Sequence, residues 1–283
     1  IYDSIGTYTP NAFWQDTKQN LNLEKIKAST QVRFAFPLRF TSQRLAPSSA
    51  NMNKKALDVE FDELQNSGYD IGTPTVIYHT SKDGLWAFGA SSISVGWYQL
   101  KDLAFVSHTK WVDFQKPLKW IVSTEAKSDL YSDSTATQYL CFLRMGVKLP
   151  LVREYQDFYE VLIPTDSLRP AYISKHDAHQ GYLPYTARNI YLQAFKLLNI
   201  PYGWGDMGGE YDCSGLIKQL FACFGIYLPR NGAQQEKAGK PLYSFKDGSN
   251  GREEIIAKHA SPGTTLLRLH GHIMLYLGSA DGK

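Results

Sequence analysis

The sequence predicts a multidomain chain: two small all-β barrels followed by an α+β unit. Three observations predict it. From Thr75 through Ile163, short runs of β-branched and aromatic residues recur about every ten residues, with turn residues between them. After Tyr182-Leu183-Pro184 the apolar period lengthens from two to about 3.6. At 283 residues the chain exceeds a domain of about 100–150, so two or three cores are expected.

Residues 1–65 form a segment of unassigned fold, with Phe13-Trp14, a polar stretch from Gln15 to Lys27, a strand-like Val32–Phe36, and a loop rich in Ser and Asn from Ala46 to Lys55. Residues 66–112 are read as the first barrel. Its strands are Thr75–His79, Leu85–Phe88, Val95–Tyr98 and Leu103–Val106, with a turn at Ser81-Lys82-Asp83-Gly84. Residues 113–180 are read as the second, from Trp120–Val122, Leu140–Arg144, Val147–Leu149 and Phe158–Ile163. Residues 181–283 make the α+β unit. Thr186 caps a helix whose apolar face is Ile190, Ala194, Leu197 and Leu198; a glycine-rich loop and a helix from Cys213 to Gly225 follow, and then a strand from Leu266 to Leu277. Ala280-Asp281-Gly282 reads as a turn with a partner strand expected after it, so the unit is expected to be incomplete at Lys283.

Composition narrows the function. A net charge of +3 and no dense Lys/Arg stripe argue against a dedicated nucleic-acid binder, though mild basicity suits an anionic matrix. No run of about 18 apolar residues is present, so no transmembrane helix is expected. The chain starts at Ile1 without Met, which is read as a removed leader or a fragment.

The three cysteines are Cys141, Cys213 and Cys223. The last two share one helix with about 15 Å of rise between them, too far to bridge. Cys223 on the apolar face and Cys141 in a strand read as core thiols, and no Cys/His spacing suits zinc. Cys213 differs. It opens its helix, where unpaired N–H groups and the helix dipole favour the thiolate. A nucleophile needs a base within reach. His79 and His108 in the first barrel, His176 and His179 in a polar linker, and His259 in a loop read as surface groups. His270 and His272 would share the polar face of the strand from Leu266, with Ile273, Leu275 and Leu277 opposite, and His272 becomes the candidate base.

Pro201–Gly205, Asp212–Leu216, Leu228–Gln235 and Gly271–Gly278 resemble, in order, the motifs of the NlpC-type cell-wall cysteine peptidases. The preceding chain resembles members with two bacterial SH3-like barrels; Phe61–Ser67, Asp83–Trp86 and Gly96-Trp97 are similar to the first of these and its approach. The resemblance implies a papain-like α+β peptidase domain, without metal or cofactor, that hydrolyses the γ-D-glutamyl to diamino acid bond (meso-diaminopimelate or lysine) of peptidoglycan stem peptides. Cys213 matches the nucleophile and His272 the base. Tyr202 matches a residue near the oxyanion and substrate, Trp204 a groove wall, and Asp212 and Ser214 the pair flanking the thiol. An Asp there opposes the thiolate by charge, so Asp212 is read as anchoring the free amine of L-Ala. Asn231-Gly232 stands where relatives often carry serine. The polar residue that orients the base is expected beyond Lys283, with His270 a weaker choice. The implied partners are stem peptides and no nucleic acid, for a monomer in murein turnover or recycling in the periplasm or outside the cell, free or as a lipoprotein. A non-catalytic wall-peptide binder, or a thiol amidase or acyltransferase on the same fold, is the alternative.

Overall fold

A computed structural model describes residues 1–245 and 250–279. The N-terminal segment holds α1 (Asn11–Asn20), which buries no side chain of its own. It is instead tied down at its end: Asn20 Nδ2 donates to Pro47 O and Asp83 Oδ2, and the N–H of Lys82 donates to Asn20 O.

The first sheet has seven antiparallel strands: β1 (Arg33–Pro37), β2 (Thr41–Arg44), β3 (Gln65–Tyr69), β4 (Thr75–Thr80), β5 (Trp86–Ala90), β6 (Val95–Gln99) and β7 (Leu103–Val106). Their order is β3-β2-β6-β5-β4-β1-β7, so β3 is an edge. The sheet therefore starts at Arg33, well before the expected boundary at residue 66. The strand-like Val32–Phe36 is β1, whereas β2 and β3 escaped a sequence reading because Thr41–Arg44 and Gln65–Tyr69 are polar yet mostly buried, which breaks the usual alternation. Arg44, for example, is buried against Asp62 and donates to Ala50 O. Ala35, Tyr69, Ile77, Ala87, Tyr98 and Leu103 form its core.

A short helix, α2 (His108–Gln115), leads into the second sheet, capped by Ser107 Oγ accepting from Lys110 N at 3.3 Å. The expected boundary between residues 112 and 113 falls inside this helix. The second sheet comprises β8 (Trp120–Ser123), β9 (Lys127–Tyr131), β10 (Tyr139–Arg144), β11 (Lys148–Glu154), β12 (Phe158–Pro164), β13 (Leu168–Ser174) and β14 (Ala178–Gln180). The order is β10-β9-β13-β12-β11-β8-β14, with β10 at an edge. His179 pairs with Val122 as part of β14, so it lies in a strand and not in a linker. Ile121, Leu130, Leu143, Leu149, Val161 and Ile173 fill the core, which Phe36 of β1 and Phe114 of α2 join.

The C-terminal unit has α3 (Ala187–Phe195), α4 (Cys213–Ala222), α5 (Gly232–Gln235), α6 (Arg252–His259), β15 (Leu266–Leu269) and β16 (His272–Leu275). Thr186 Oγ1 accepts from Asn189 N, capping α3. Ile190 and Leu197 are buried, whereas Leu198 is exposed because the chain leaves helical geometry at Asn199, whose φ is 62°. α4 is the most enclosed helix of the unit, with Ile217, Leu220 and Phe221 in a core shared with Met145, Ile190, Tyr211 and Ile273.

The strand expected from Leu266 to Leu277 is a hairpin. β15 and β16 pair antiparallel with Leu269 opposite His272, and His270-Gly271 makes the two-residue turn, which Gly271 permits with φ of 76°. His270 and His272 therefore do not share a strand face. The signal was present as a Gly after one residue, and the apolar run on both sides masked it. The turn expected at Ala280-Asp281-Gly282 lies outside the described residues.

No helix among the described residues is long and apolar enough to cross a membrane. A cavity of about 700 Å³ opens at the seam of the two sheets, bordered by Phe40, Trp86, Lys101, Tyr139 and Phe142, and touches the C-terminal unit at Gly208.

The second core makes a clean prediction. Leu130 of β9 is fully buried in that core, so Leu130→Ala is expected to cost about 2–5 kcal/mol of stability, read as a fall in thermal midpoint.

Candidate active site

The thiol stands where the sequence puts it. Cys213 is the first residue of α4 and is half-buried, while Cys141 and Cys223 are buried. Burial pushes the Cys141 thiol up to about 11 and the Cys223 thiol up to about 12, so neither ionises near neutrality. Asp212 is the N-cap: its Oδ1 accepts from Gly215 N at 2.7 Å, satisfying one of the free donors of the first turn. The Ser214 hydroxyl donates to the same oxygen at 3.1 Å.

Arg230 completes this arrangement. Its Nη1 donates to Asp212 Oδ1 at 3.0 Å and its Nη2 to Asp212 Oδ2 at 2.6 Å, a bidentate pair in which both side chains are mostly buried. Nη1 also donates to the Ser214 hydroxyl at 3.0 Å, and Nε to the Ser67 hydroxyl of β3 at 2.8 Å. The charge of Asp212 beside the thiol is thus matched inside the chain, and a substrate amine is not needed to account for it. Only Oδ2, with a single hydrogen bond, keeps an acceptor direction for a ligand.

Tyr202 is half exposed and lies one bridge away, pairing with Tyr211 in parallel while Gly203 N donates to Tyr211 O at 3.1 Å. Burial, and then the charges of Asp212 and Cys213, push its hydroxyl up to about 12, so it stays a neutral donor. Trp204 is half-buried. Phe61, from the approach to β3, packs edge-on to it at 5.5 Å and near Tyr202 at 6.4 Å, so the first barrel's flank adds to an aromatic wall.

His272 is exposed and opens β16, which packs against α4 through the buried Ile273. Arg268 Nη1 holds the backbone carbonyl of His272 at 3.0 Å. Cys213, Asp212, Ser214 and Tyr202 are therefore brought together, with His272 on a contacting strand; among the described residues no hydrogen bond joins it to the thiol. Catalytic hydrogen bonds are commonly long before substrate binds. His270 sits in the hairpin turn, and no residue is assigned to orient the base.

Other residues of the site were not singled out from sequence. Asp206 is fully buried between Arg144 Nη1 and Arg230 Nη2, each at 3.3 Å. Burial alone would raise its pKa, but Arg144 and Arg230 outweigh that and hold it below the usual carboxylate range. Gly215 must lack a side chain, because a Cβ there would lie 2.1 Å from Asp206 Oδ1. Gln235 of α5 donates to Ser214 O at 2.9 Å and Pro229 O at 2.8 Å, fixing the segment after α4 onto the nucleophile turn. Arg230 and Gln235 lay inside a recognised motif; Asp206 carried no signal, being one polar residue in a glycine-rich loop.

Away from the thiol, Glu125, His176 and Asp177 place ligand atoms within 4.8 Å of one another. Glu125 is already paired with Lys196 at 2.5 Å and His176 with Asp177 at 2.8 Å, which accounts for the cluster without an ion.

Two parts of the chain match known families. Residues 50–99 match the SH3 domain (SH3b1 type) family, and residues 199–281 match the NlpC/P60 family. Over 66 residues the chain is 39% identical to a gamma-D-glutamyl-L-lysine dipeptidyl-peptidase of Bacillus subtilis (strain 168), covering 22% of each protein. Over 89 residues it is 34% identical to the bifunctional muramidase/DL-endopeptidase CwlT of the same organism, covering 31% of this chain and 25% of that one. The matches thus span about a quarter of the length of these curated relatives. Among solved structures, an NlpC/P60 endopeptidase from Photobacterium damselae subsp. piscicida aligns over 99% of this chain and 65% of that one, with TM-score 0.78 and 22% identity. An NlpC/P60 family protein from Bacillus cereus ATCC 10987 aligns over 87% and 88%, with TM-score 0.67 and 18% identity. The chain carries an SH3b1-type domain followed by an NlpC/P60 domain.

Proposed function

We propose that the chain is a cysteine endopeptidase of peptidoglycan, cutting the γ-D-glutamyl to diamino acid bond of stem peptides that carry a free N-terminal L-Ala. The observation that carries this reading is the half-buried thiol at the mouth of α4 within the NlpC/P60 match, capped by Asp212 and packed against the strand of His272. The bond specificity is supported by the name of the 39% identical relative. Action in the cell envelope follows from a wall substrate.

In this mechanism His272 takes the Cys213 proton, and the thiolate attacks the γ-carbonyl carbon of D-Glu. The N–H groups of the first turn of α4, together with the neutral Tyr202 hydroxyl, stabilise the oxyanion. The imidazolium returns its proton to the departing amine, and water then attacks the thioester, releasing the free γ-carboxylate and restoring the thiol. Trp204, Tyr202 and Phe61 wall the groove, and the free direction of Asp212 Oδ2 accepts the L-Ala ammonium.

Three outcomes are expected. Cys213→Ala should lower hydrolysis of L-Ala-γ-D-Glu-diaminopimelate by about a thousandfold or more, measured by product chromatography; retained cleavage contradicts the nucleophile, and binding without cleavage by the unaltered chain contradicts the enzyme. N-acetylating the peptide should reduce kcat/KM about tenfold or more, the loss of one charge-assisted contact, whereas equal cleavage removes the amine anchor. Iodoacetamide should label Cys213 much faster than Cys141 or Cys223, as read by peptide mass spectrometry, because the latter two are buried and protonated.

A further inference from the structure

The edge strands of both sheets end in charges aimed at the nucleophile helix. Asp70 follows β3, and Arg144 closes β10. Arg144 is fully buried and grips Asp70 through Nε and Nη2, at 3.0 and 2.8 Å. This leaves Nη1 for Asp206 Oδ2 at 3.3 Å. Asp206 Oδ1 meets Arg230 Nη2, which at the same time holds Asp212. The result is an alternating row, Asp70, Arg144, Asp206, Arg230 and Asp212, that starts in the first barrel, passes through the second and ends at the N-cap of the thiol-bearing helix.

Apart from the two arginines, the Asp206 side chain meets only the attraction of the Lys218 ammonium on α4. Both its carboxylate oxygens lack a well-formed hydrogen bond, its side chain is fully buried, and its backbone is left-handed with φ of 63°. Such a conformation is unfavourable for a residue other than Gly. The two guanidiniums are what hold it, and Gly215 gives it room against the first turn of α4. We propose that Arg144 and Asp206 are positioning residues: acting through Arg230, they fix Asp212 over the first turn of α4 and make the reactivity of Cys213 depend on the docking of the second barrel. The inference rests on the peptidase reading.

The test compares full-length variants. Asp206→Asn is nearly isosteric and leaves Arg144 with Asp70 and Arg230 with Asp212, so neither guanidinium is stranded, while Lys218 keeps its bond to Gln219 and the attraction of Asp70. It is expected to lower kcat on the stem peptide about tenfold or more with KM within about threefold, and to slow iodoacetamide labelling of Cys213 in parallel. Arg144→Lys keeps the charge but cannot grip Asp70 and reach Asp206 together; it should give a similar loss, and the double variant should lose no more than the worse single one. Leu130→Ala, in the second core, should lower the thermal midpoint while leaving kcat and labelling unchanged. The proposal is overturned if Asp206→Asn matches the unaltered chain in kcat and labelling, if the two losses multiply, or if Leu130→Ala shows the same loss per degree of midpoint. Should the unaltered chain fail to cut stem peptides, the peptidase reading falls, and labelling alone decides the positioning role by the same comparison.

Discussion

The buried pairing of Arg230 with Asp212 is the interaction on which the rest of the site depends. One carboxylate caps α4, orients Ser214 and neutralises Arg230; one guanidinium reaches Ser67 of the first barrel, the Ser214 hydroxyl and Asp206. Burying two ions is costly, and it is tolerated where good geometry and further hydrogen bonds satisfy the remaining donors and acceptors. Here Arg230 has partners on Nε and on both terminal nitrogens. A helix whose first turn is fixed in this way loses little entropy when a ligand arrives, which is the physical content of preorganisation.

The same charges explain how three units form one structure. A sheet edge exposes unpaired backbone groups, and proteins cover it. The loop Trp204–Gly209 lies on β3, with Gln65 Nε2 donating to Gly205 O at 2.9 Å, while Lys127 of β9 pairs with Glu210. Arg144 adds contacts to Gly68 O and Glu210 O, and packs over the rings of Phe40 and Tyr211. Tyr211, next to the N-cap, donates to Ala126 O and accepts from Met145 N. The barrels therefore do more than precede the NlpC/P60 domain, since their side chains build the underside of its nucleophile turn.

Much of this was legible in the sequence because it is local. A thiol followed by an apolar run shows a helix mouth; Thr186 shows a cap; alternating aromatic strands show barrels. What failed was long-range or sterically subtle. Gln65–Tyr69 does not look like a strand until Arg230 and Gly205 are known to lie against it, and Asp206 looks like a loop residue until two arginines close on it. Asp212 was read as anchoring a substrate amine, and no spacing revealed that Arg230, 18 residues on, already pairs with it. His270 was placed on a strand because the apolar run around it is continuous, and only the φ of Gly271 shows the reversal.

In the proposed reaction a single thiol at the mouth of α4 attacks the γ-carbonyl of a D-Glu residue presented in the groove. An L-Ala-γ-D-Glu acyloxymethyl ketone places an electrophilic carbon at that position. Intact-mass and peptide mass spectrometry after incubation with the full chain should show one adduct, on the peptide that contains Cys213, blocked by prior incubation with the L-Ala-γ-D-Glu dipeptide. An adduct on Cys141 or Cys223, or none at all while iodoacetamide still labels Cys213, would contradict the account.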